Sequence, residues 1–446
     1  MQKHFRNGTI VLTFALSACS LAPDYERPGV AIPGGWRGAP GMGVTTENAT
    51  AFWRELGSAE LSRLIDRALE QNLDLEAALR RIEQARAQAK VAGAPLFPEI
   101  NASAAASRTY EDRTSEAARS GGSISYELDL WGKNRNQARA ARHRAEASEF
   151  EREALRLVVT ADATNFYSQI LSLNDRIRIA EFNLKNAEEI LRIVEARFSQ
   201  GAVSGLEVSQ QRVAVNAFRS SLASLIEQRS TAANALAILL GLAPQDFSMP
   251  AAELVSLHLP EVNLTPPATL LTARPDIESA ESGLRAANAD IGVARAAFFP
   301  SLTLGVDPGI AAGFGAPAAA ATSLAANLVA PIFNGGRLQG NLENITARQK
   351  ELAAQYQKTV LSAFQEVEDA LAALKSANDR AVIARASVIE SQNAYNIAKA
   401  RFDAGAVDYL NLLEAQRSLF QAQDSEIAIN QTQLQSFVQL RKALGT

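Results

Sequence analysis

Two long apolar-periodic segments that end in the same glycine turn constrain this chain of 446 residues more than any other feature. Phe198-Ser199-Gln200-Gly201-Ala202-Val203 returns as Phe402-Asp403-Ala404-Gly405-Ala406-Val407, at an offset of 204 (402 − 198). In the first copy Ile170, Leu173, Ile177, Ala180, Leu184, Ala187, Leu191, Val194 and Phe198 alternate steps of three and four. The same offset gives Leu374, Ala377, Ala381, Ala384, Val388, Ser391, Tyr395, Ala398 and Phe402. A repeat of about 3.5 residues is the narrow seam of a coiled coil, packed against neighbouring helices. Glycine just past the last periodic residue is the usual left-handed stop of a helix, because a side chain there would clash. Each segment therefore predicts helix, glycine turn, helix. From Asn134 to Gln200 the 67 residues (200 − 134 + 1) include no proline. Unbroken, they make a helix of roughly 100 Å.

The duplication continues upstream. Asp74-Leu75-Glu76 aligns with Asp276-Ile277-Glu278, and Phe97-Pro98 with Phe299-Pro300, both at offset 202. Arg274-Pro275-Asp276 opens a helix with proline in the first turn and an acid near the positive helix end. Residues 59–70, 74–92 and 276–297 read as helices with alanine-rich faces. The offset grows from 202 to 204 before the turn, which predicts about two extra residues in the second long helix. Each copy then runs helix, strand, strand, long helix, turn, long helix.

The strands carry the membrane argument. Ser123-Ile124-Ser125-Tyr126-Glu127-Leu128-Asp129-Leu130 alternates polar and apolar residues, and Leu324, Ala326, Leu328, Ala330 and Ile332 share one face in the second copy. The first strand of each pair is weaker, with Ile100, Ala102 and Ala104 matching Leu302, Leu304 and Val306. Alternation over roughly ten residues is the pattern of an outer-membrane β-strand, and a half-buried sheet of a soluble domain has the same period. In hydrocarbon every backbone donor and acceptor must be paired, so a sheet must close on itself. Four strands cannot close, since the smallest barrels of this type use about eight. The chain must therefore lend its strands to a shared barrel. Two copies give about eight strands, filled by side chains, and three give about twelve, enough to leave a channel.

The beginning of the chain supplies an address. Lys3 and Arg6, the apolar run Ile10 to Ala18 and then Cys19 form a secretory signal too short to span a bilayer. Cys19 is the only cysteine, so it forms no intramolecular disulfide. Residues 20–50, with Pro23, Pro28, Pro33 and Pro40, read as an extended linker. A net charge of −4 with 21% charged residues gives nucleic acid no basic surface. His4, His143 and His258 are too scattered for a triad or a metal cluster. Gly309 to Gly315 lacks the lysine of a phosphate loop and reads as the loop joining the third and fourth strands. No catalytic residue, cofactor or metal is expected.

Taken in order, these features resemble the outer-membrane factor family of tripartite export pumps, the TolC-like proteins, and their lipoprotein branch in particular. The resemblance rests on Leu16-Ser17-Ala18-Cys19, Arg274-Pro275-Asp276-Ile277 and the two Phe-Pro strand starts. It rests also on Tyr126 to Gly132 with its counterpart Pro331 to Gly336, and on both Phe-x-x-Gly-Ala-Val turns, covering about residues 16–446. It implies Cys19 as the lipidated (palmitate-bearing) first mature residue, with Ser20 favouring the outer membrane. It implies a mainly α fold with a small β part: a homotrimer whose long helical hairpins form a trimeric α-barrel below a shared twelve-stranded β-barrel. A periplasmic adaptor (membrane fusion) protein and a proton-driven inner-membrane transporter feed the duct. Adaptor docking falls on Phe198, Gly201, Ala202, Val203 and Leu206, and on Phe402, Gly405, Ala406 and Val407. Leu410 matches an apolar ring and Glu414 an acidic ring of the periplasmic gate, with Asp408 and Arg417 linking neighbouring helices.

The expected segments are a signal peptide over 1–18 and a lipid-anchored linker over 19–58. A first repeat spans 59–258, with strands at about 99–110 and 122–131 and a hairpin at about 134–240. A second spans 259–446, with a helix at 276–297, strands at about 301–308 and 323–333 and a hairpin at about 336–444. The competing expectations are a coiled-coil outer-membrane lipoprotein without a pore, and a factor of the same fold for protein secretion.

Overall fold

A computed structural model describes residues 20–38, 51–110, 115–262, 264–313, 318–406 and 409–446. Cys19, Val407 and Asp408 lie outside the described residues. Short helices α1 (Phe52–Glu55), α2 (Ala59–Gln71) and α3 (Leu73–Gly93) precede β1 (Glu99–Thr109) and β2 (Ser115–Leu128). The first hairpin is α4 (Lys133–Ser199) and α5 (Gly205–Leu239). The second copy repeats the order with α6 (Leu270–Ala273), α7 (Pro275–Ala296), β3 (Ser301–Gly313), β4 (Ala319–Val329), α8 (Arg337–Asp403) and α9 (Tyr409–Leu444).

The chain forms two compact units, and neither follows the repeat boundary. One gathers residues up to Pro28, Arg81–Ser148 and Ser279–Tyr356; the other gathers Gly29–Arg80, Glu149–Glu278 and Gln357–Thr446. Strand pairing explains the mixing. The sheet is antiparallel in the order β1-β2-β3-β4, so its central pair, β2 with β3, joins the two repeats. The outer strands β1 and β4 are exposed along their whole length, and none of the described strand residues is buried. A sheet without a core and with two open edges is an aggregation template in water. In hydrocarbon it demands partners on both sides.

The limits of three strands differ from expectation. β2 begins at Ser115 rather than 122 and stops at Leu128, and β4 runs from Ala319 to Val329 rather than from 323 to 333. β3 continues to Gly313, so Gly309 to Gly313 is strand and not connecting loop. These ends are rich in glycine, alanine and serine, and backbone pairing rather than side-chain alternation defines them. Gly121 pairs with Gly309, and a Cβ on Gly121 would stand 2.7 Å from the Pro308 carbonyl oxygen. The two extra residues of the second repeat are also placed differently. α4 and α8 both have 67 residues. The connection from Val329 to Arg337 is longer than that from Leu128 to Lys133, where a loop absorbs an insertion more cheaply than a packed seam.

In the helical unit, residues 29–38 are strapped to α8. The Trp36 indole donates to the Thr265 carbonyl at 2.8 Å and its ring meets Phe364 edge-on. The Arg37 and Gly38 amides donate to the two carboxylate oxygens of Glu368, at 2.7 and 2.9 Å. Deleting a buried tryptophan side chain costs about 3–5 kcal/mol, enough to release this strap without unfolding the bundle. In Trp36→Ala, trypsin is expected to cleave after Arg37 at least about tenfold faster than in the wild type. Unchanged cleavage would show that the Glu368 clip holds the strap alone.

Candidate functional site

Both hairpins close with the same backbone. Gly201 has φ 72° and Gly405 φ 71°. The amides of Gly201 and Ala202 donate to Phe198 and Arg197, each at 2.9 Å, and those of Gly405 and Ala406 to Phe402 and Arg401 at 3.0 and 2.8 Å. The last carbonyls of each long helix are thereby satisfied by the turn. α5 restarts on a capping box: the Leu206 amide donates to Ser204 Oγ at 3.2 Å, and the Ser204 amide to Glu207 Oε2 at 3.0 Å. The Ser204 hydroxyl, donating to the Glu207 carboxylate, holds it below the usual carboxylate range.

The two turns are alike, but their phenylalanines are not. Phe198 is 49% exposed, whereas Phe402 is 2% exposed. Phe402 packs with Ile190, Val194, Val208, Tyr409, Leu412 and Leu413 in one apolar cluster drawn from α4, α5, α8 and α9. This burial removes Phe402 from any docking surface; it holds the two tips together from inside. Gly201, Ala202, Leu206, Gly405 and Ala406 are exposed and Val203 is half-buried.

Polar contacts lock the same joint. Arg197 lies over the Phe402 ring, 4.3 Å from its centroid, and donates to the Phe402 carbonyl at 3.3 Å. Gln211, fully buried, donates to the Ala187 carbonyl at 2.7 Å and accepts a hydrogen bond from the Tyr409 hydroxyl. Burial pushes that hydroxyl's pKa up, with Arg417 opposing, so Tyr409 remains a donor. Further along, Asn183 donates to Gln423 at 3.2 Å and Arg176 holds Asp424 through two bonds of 2.7 and 3.0 Å. Between these rungs Gln416 is buried with neither amide atom partnered among the described residues.

α9 turns a different face outward. Leu410 is 56% exposed, and Glu414 and Arg417 are exposed on the same side, at spacings of four and three. Tyr409, Leu412, Leu413, Gln416 and Leu419 face the interior. The structure thus puts Leu410, Glu414 and Arg417 in one row. It brings none of them into an ion pair among the described residues, and the expected partner Asp408 lies outside them. Sequence reasoning missed Gln211, and it placed Arg197 and Tyr409 in the tip segments 197–206 and 401–410 as docking residues rather than as parts of this joint. For Tyr409 a signal was available, polar residues at seven-residue steps on α9, at 409, 416 and 423.

Comparison with known proteins converges on one kind of molecule. The family model described as "Outer membrane efflux protein" matches residues 64–242 and 267–446. The chain is 38% identical to the pyoverdine export outer membrane protein OpmQ of Pseudomonas aeruginosa, over 96% of this chain and 94% of that protein. It is 34% identical to the toluene efflux pump outer membrane protein TtgC of Pseudomonas putida, over 98% and 94%. Among solved structures, the open state of the MtrE outer membrane channel of Neisseria gonorrhoeae superposes with a TM-score of 0.84. Identity there is 28%, over 96% of this chain and 98% of that one.

Proposed function

From the premise that this chain belongs to the outer membrane efflux protein family and is an efflux channel of that kind, we propose that it is the passive, homotrimeric duct of a tripartite pump. A periplasmic adaptor and a proton-driven inner-membrane transporter supply the cargo and the work. The single observation that carries the trimer is the coreless four-stranded sheet with both edges open. Three copies supply about twelve strands, a barrel wide enough to conduct. The adaptor docks on the exposed tip residues Phe198, Gly201, Ala202, Leu206, Gly405 and Ala406, with Val203 at their edge and Val407 as the sequence-based addition. Two of the proteins similar to this one are named for pyoverdine and toluene; such unlike cargoes suit a duct whose selection lies with the transporter, and small molecules are the expected class.

The lipid anchor rests on what holds the residue after Cys19. Ser20 Oγ donates to Asn136 Oδ1 at 3.1 Å, Arg295 donates to the Leu21 carbonyl at 3.2 Å, and Asn288 to that of Pro23 at 2.7 Å. Those contacts hold residues 20–23 beside the end of α7, a few residues before β3, which supports an anchor on Cys19 close to the strands.

In the trimer the outward row of α9 supplies the gate: Leu410 the apolar ring, Glu414 the acidic one, with Arg417 and Asp408 linking adjacent helices. Three carboxylates converging on an axis repel unless cations or protons accompany them. Single-channel recording in planar bilayers tests this. Wild-type protein is expected to give discrete cation-preferring channels, Glu414→Ala to lose that preference, and Arg417→Ala to conduct more. Wild-type behaviour in both variants would remove the gate assignment, and absence of channels altogether would leave a lipoprotein spacer without a pore.

A further inference from the structure

The duplication constrains more than the order of elements. Inside the chain the first repeat meets the second through β2 and β3, the central pair of the sheet. Moving that pairing on by one repeat sets β4 against β1 of another copy, and those are the two strands left with an open edge. In a closed ring of such chains, the contact between repeats recurs between copies.

The same rule applies at the tips, with a step of 204 residues. Arg197 of the first repeat lies over the Phe402 ring of the second, 4.3 Å from its centroid, and donates to the Phe402 carbonyl. One step on, Arg197 becomes Arg401, and Phe402 becomes Phe198 of the next copy. Within the chain both members of this second pair are unmet. Arg401 is exposed, and its side chain has no partner among the described residues. Phe198 is 49% exposed. The Phe402 carbonyl accepts from the Gly405 amide and from Arg197, whereas the Phe198 carbonyl accepts from the Gly201 amide alone among the described residues. An exposed arginine or phenylalanine is ordinary by itself. These two are the counterparts, position by position, of a pair already formed.

We propose that in the trimer Arg401 of each copy lies over the Phe198 ring of its neighbour and donates to that residue's carbonyl. Three such pairs between copies complete the belt begun by the three Arg197–Phe402 pairs within them. A guanidinium over an aromatic face is held by the ring quadrupole and needs no carboxylate. The pair between copies has less support than its counterpart. Tyr409 meets the Phe402 ring edge-on, and Gly205 stands at the matching position beside Phe198. Gln211 accepts from the Tyr409 hydroxyl, and its counterpart is Ala415. The seams between copies are therefore the weaker half of the belt, and Phe198 keeps a ring edge free for the adaptor. This inference rests on the homotrimer proposed above.

The test uses the full-length protein in detergent without an adaptor, its oligomeric state first read by native mass spectrometry. With p-benzoylphenylalanine in place of Phe198, irradiation is expected to give covalent dimers and trimers on a denaturing gel. Peptide mapping is expected to place the link in the last turn of the neighbour's α8, around Arg401. A trimer that gives no product between copies overturns the proposal and leaves the duct standing. So does a link within one chain, or one that forms only when adaptor is added. A protein that proves monomeric overturns the duct and the proposal together. Channel recording supplies a second readout. Arg401→Ala and Phe198→Leu are each expected to raise the open fraction at least about threefold. Combined, they are expected to go no further than the larger alone, because they remove one contact. Effects that multiply would show that the two residues act apart, and would overturn the pairing.

Discussion

Arg197→Ala combined with Tyr409→Phe is expected to raise the open fraction of the reconstituted channel by at least about tenfold. Both residues tie the α4–α5 hairpin to the α8–α9 hairpin, and neither supports its own helix. Without the Tyr409 hydroxyl, the buried Gln211 carbonyl loses its donor, and an orphaned buried acceptor costs about 1–3 kcal/mol. Without Arg197, the cation over the Phe402 ring and its bond to the Phe402 carbonyl vanish together, a contact of about 0.5–2 kcal/mol. The two losses come to about 1.5–5 kcal/mol per chain, and each 1.4 kcal/mol is a factor of ten. A tip that opens by moving the second hairpin from the first breaks both contacts anyway, so their removal penalises the closed state alone. Lys399→Ala is the control, because Lys399 pairs at 2.8 Å with Asp403 on its own helix; its conductance is expected to match the wild type. A double variant that melts earlier yet conducts normally would show that the joint serves the fold and not the gate.

This joint was the least legible part of the chain, for a reason visible in Phe198 and Phe402. They occupy the same heptad position, the same distance before the same glycine, yet one faces water and the other is sealed. Sequence periodicity assigns a face to each helix, but not which face meets the other hairpin. The bond from Tyr409 to Gln211 joins residues 198 apart, and no local pattern announces such a pair. What local physics controls was legible: the length of α4, the left-handed stops and the proline start of α7, whereas Leu410, Glu414 and Arg417 were singled out by the family resemblance. The strands fall between. Tyr126 and Leu128 declared β2 through alternation, while the glycine- and alanine-rich ends of β2, β3 and β4 took their limits from backbone pairing.

Gly241→Ala and Gly445→Ala are expected to destabilise the protein far more than Gly201→Ala and Gly405→Ala, although all four glycines have left-handed backbones. Their φ angles run from 67° to 80°, and alanine in that conformation costs about 1–2 kcal/mol by itself. At Gly201 and Gly405 nothing stands within 4 Å of an added Cβ, so that is the whole cost. At Gly241 the Cβ would lie 2.4 Å from the Gln71 carbonyl oxygen, and at Gly445 2.6 Å from that of Ala273. A carbonyl in a helix end cannot rotate away, so one element must move, adding about 1–3 kcal/mol. Movement would also strain the bond beside each glycine, Asn72 to the Leu239 carbonyl and Arg274 to the Ala443 carbonyl, both 3.0 Å. The paired glycines are 204 apart (445 − 241) and the carbonyls 202 (273 − 71), so this is one joint built twice. Apparent melting temperature of the trimer, at one fixed scan rate because such assemblies unfold irreversibly, is expected to fall at least about twice as far for the first pair. Equal losses at all four positions would mean that backbone conformation alone, and not the carbonyl beneath, makes glycine necessary there.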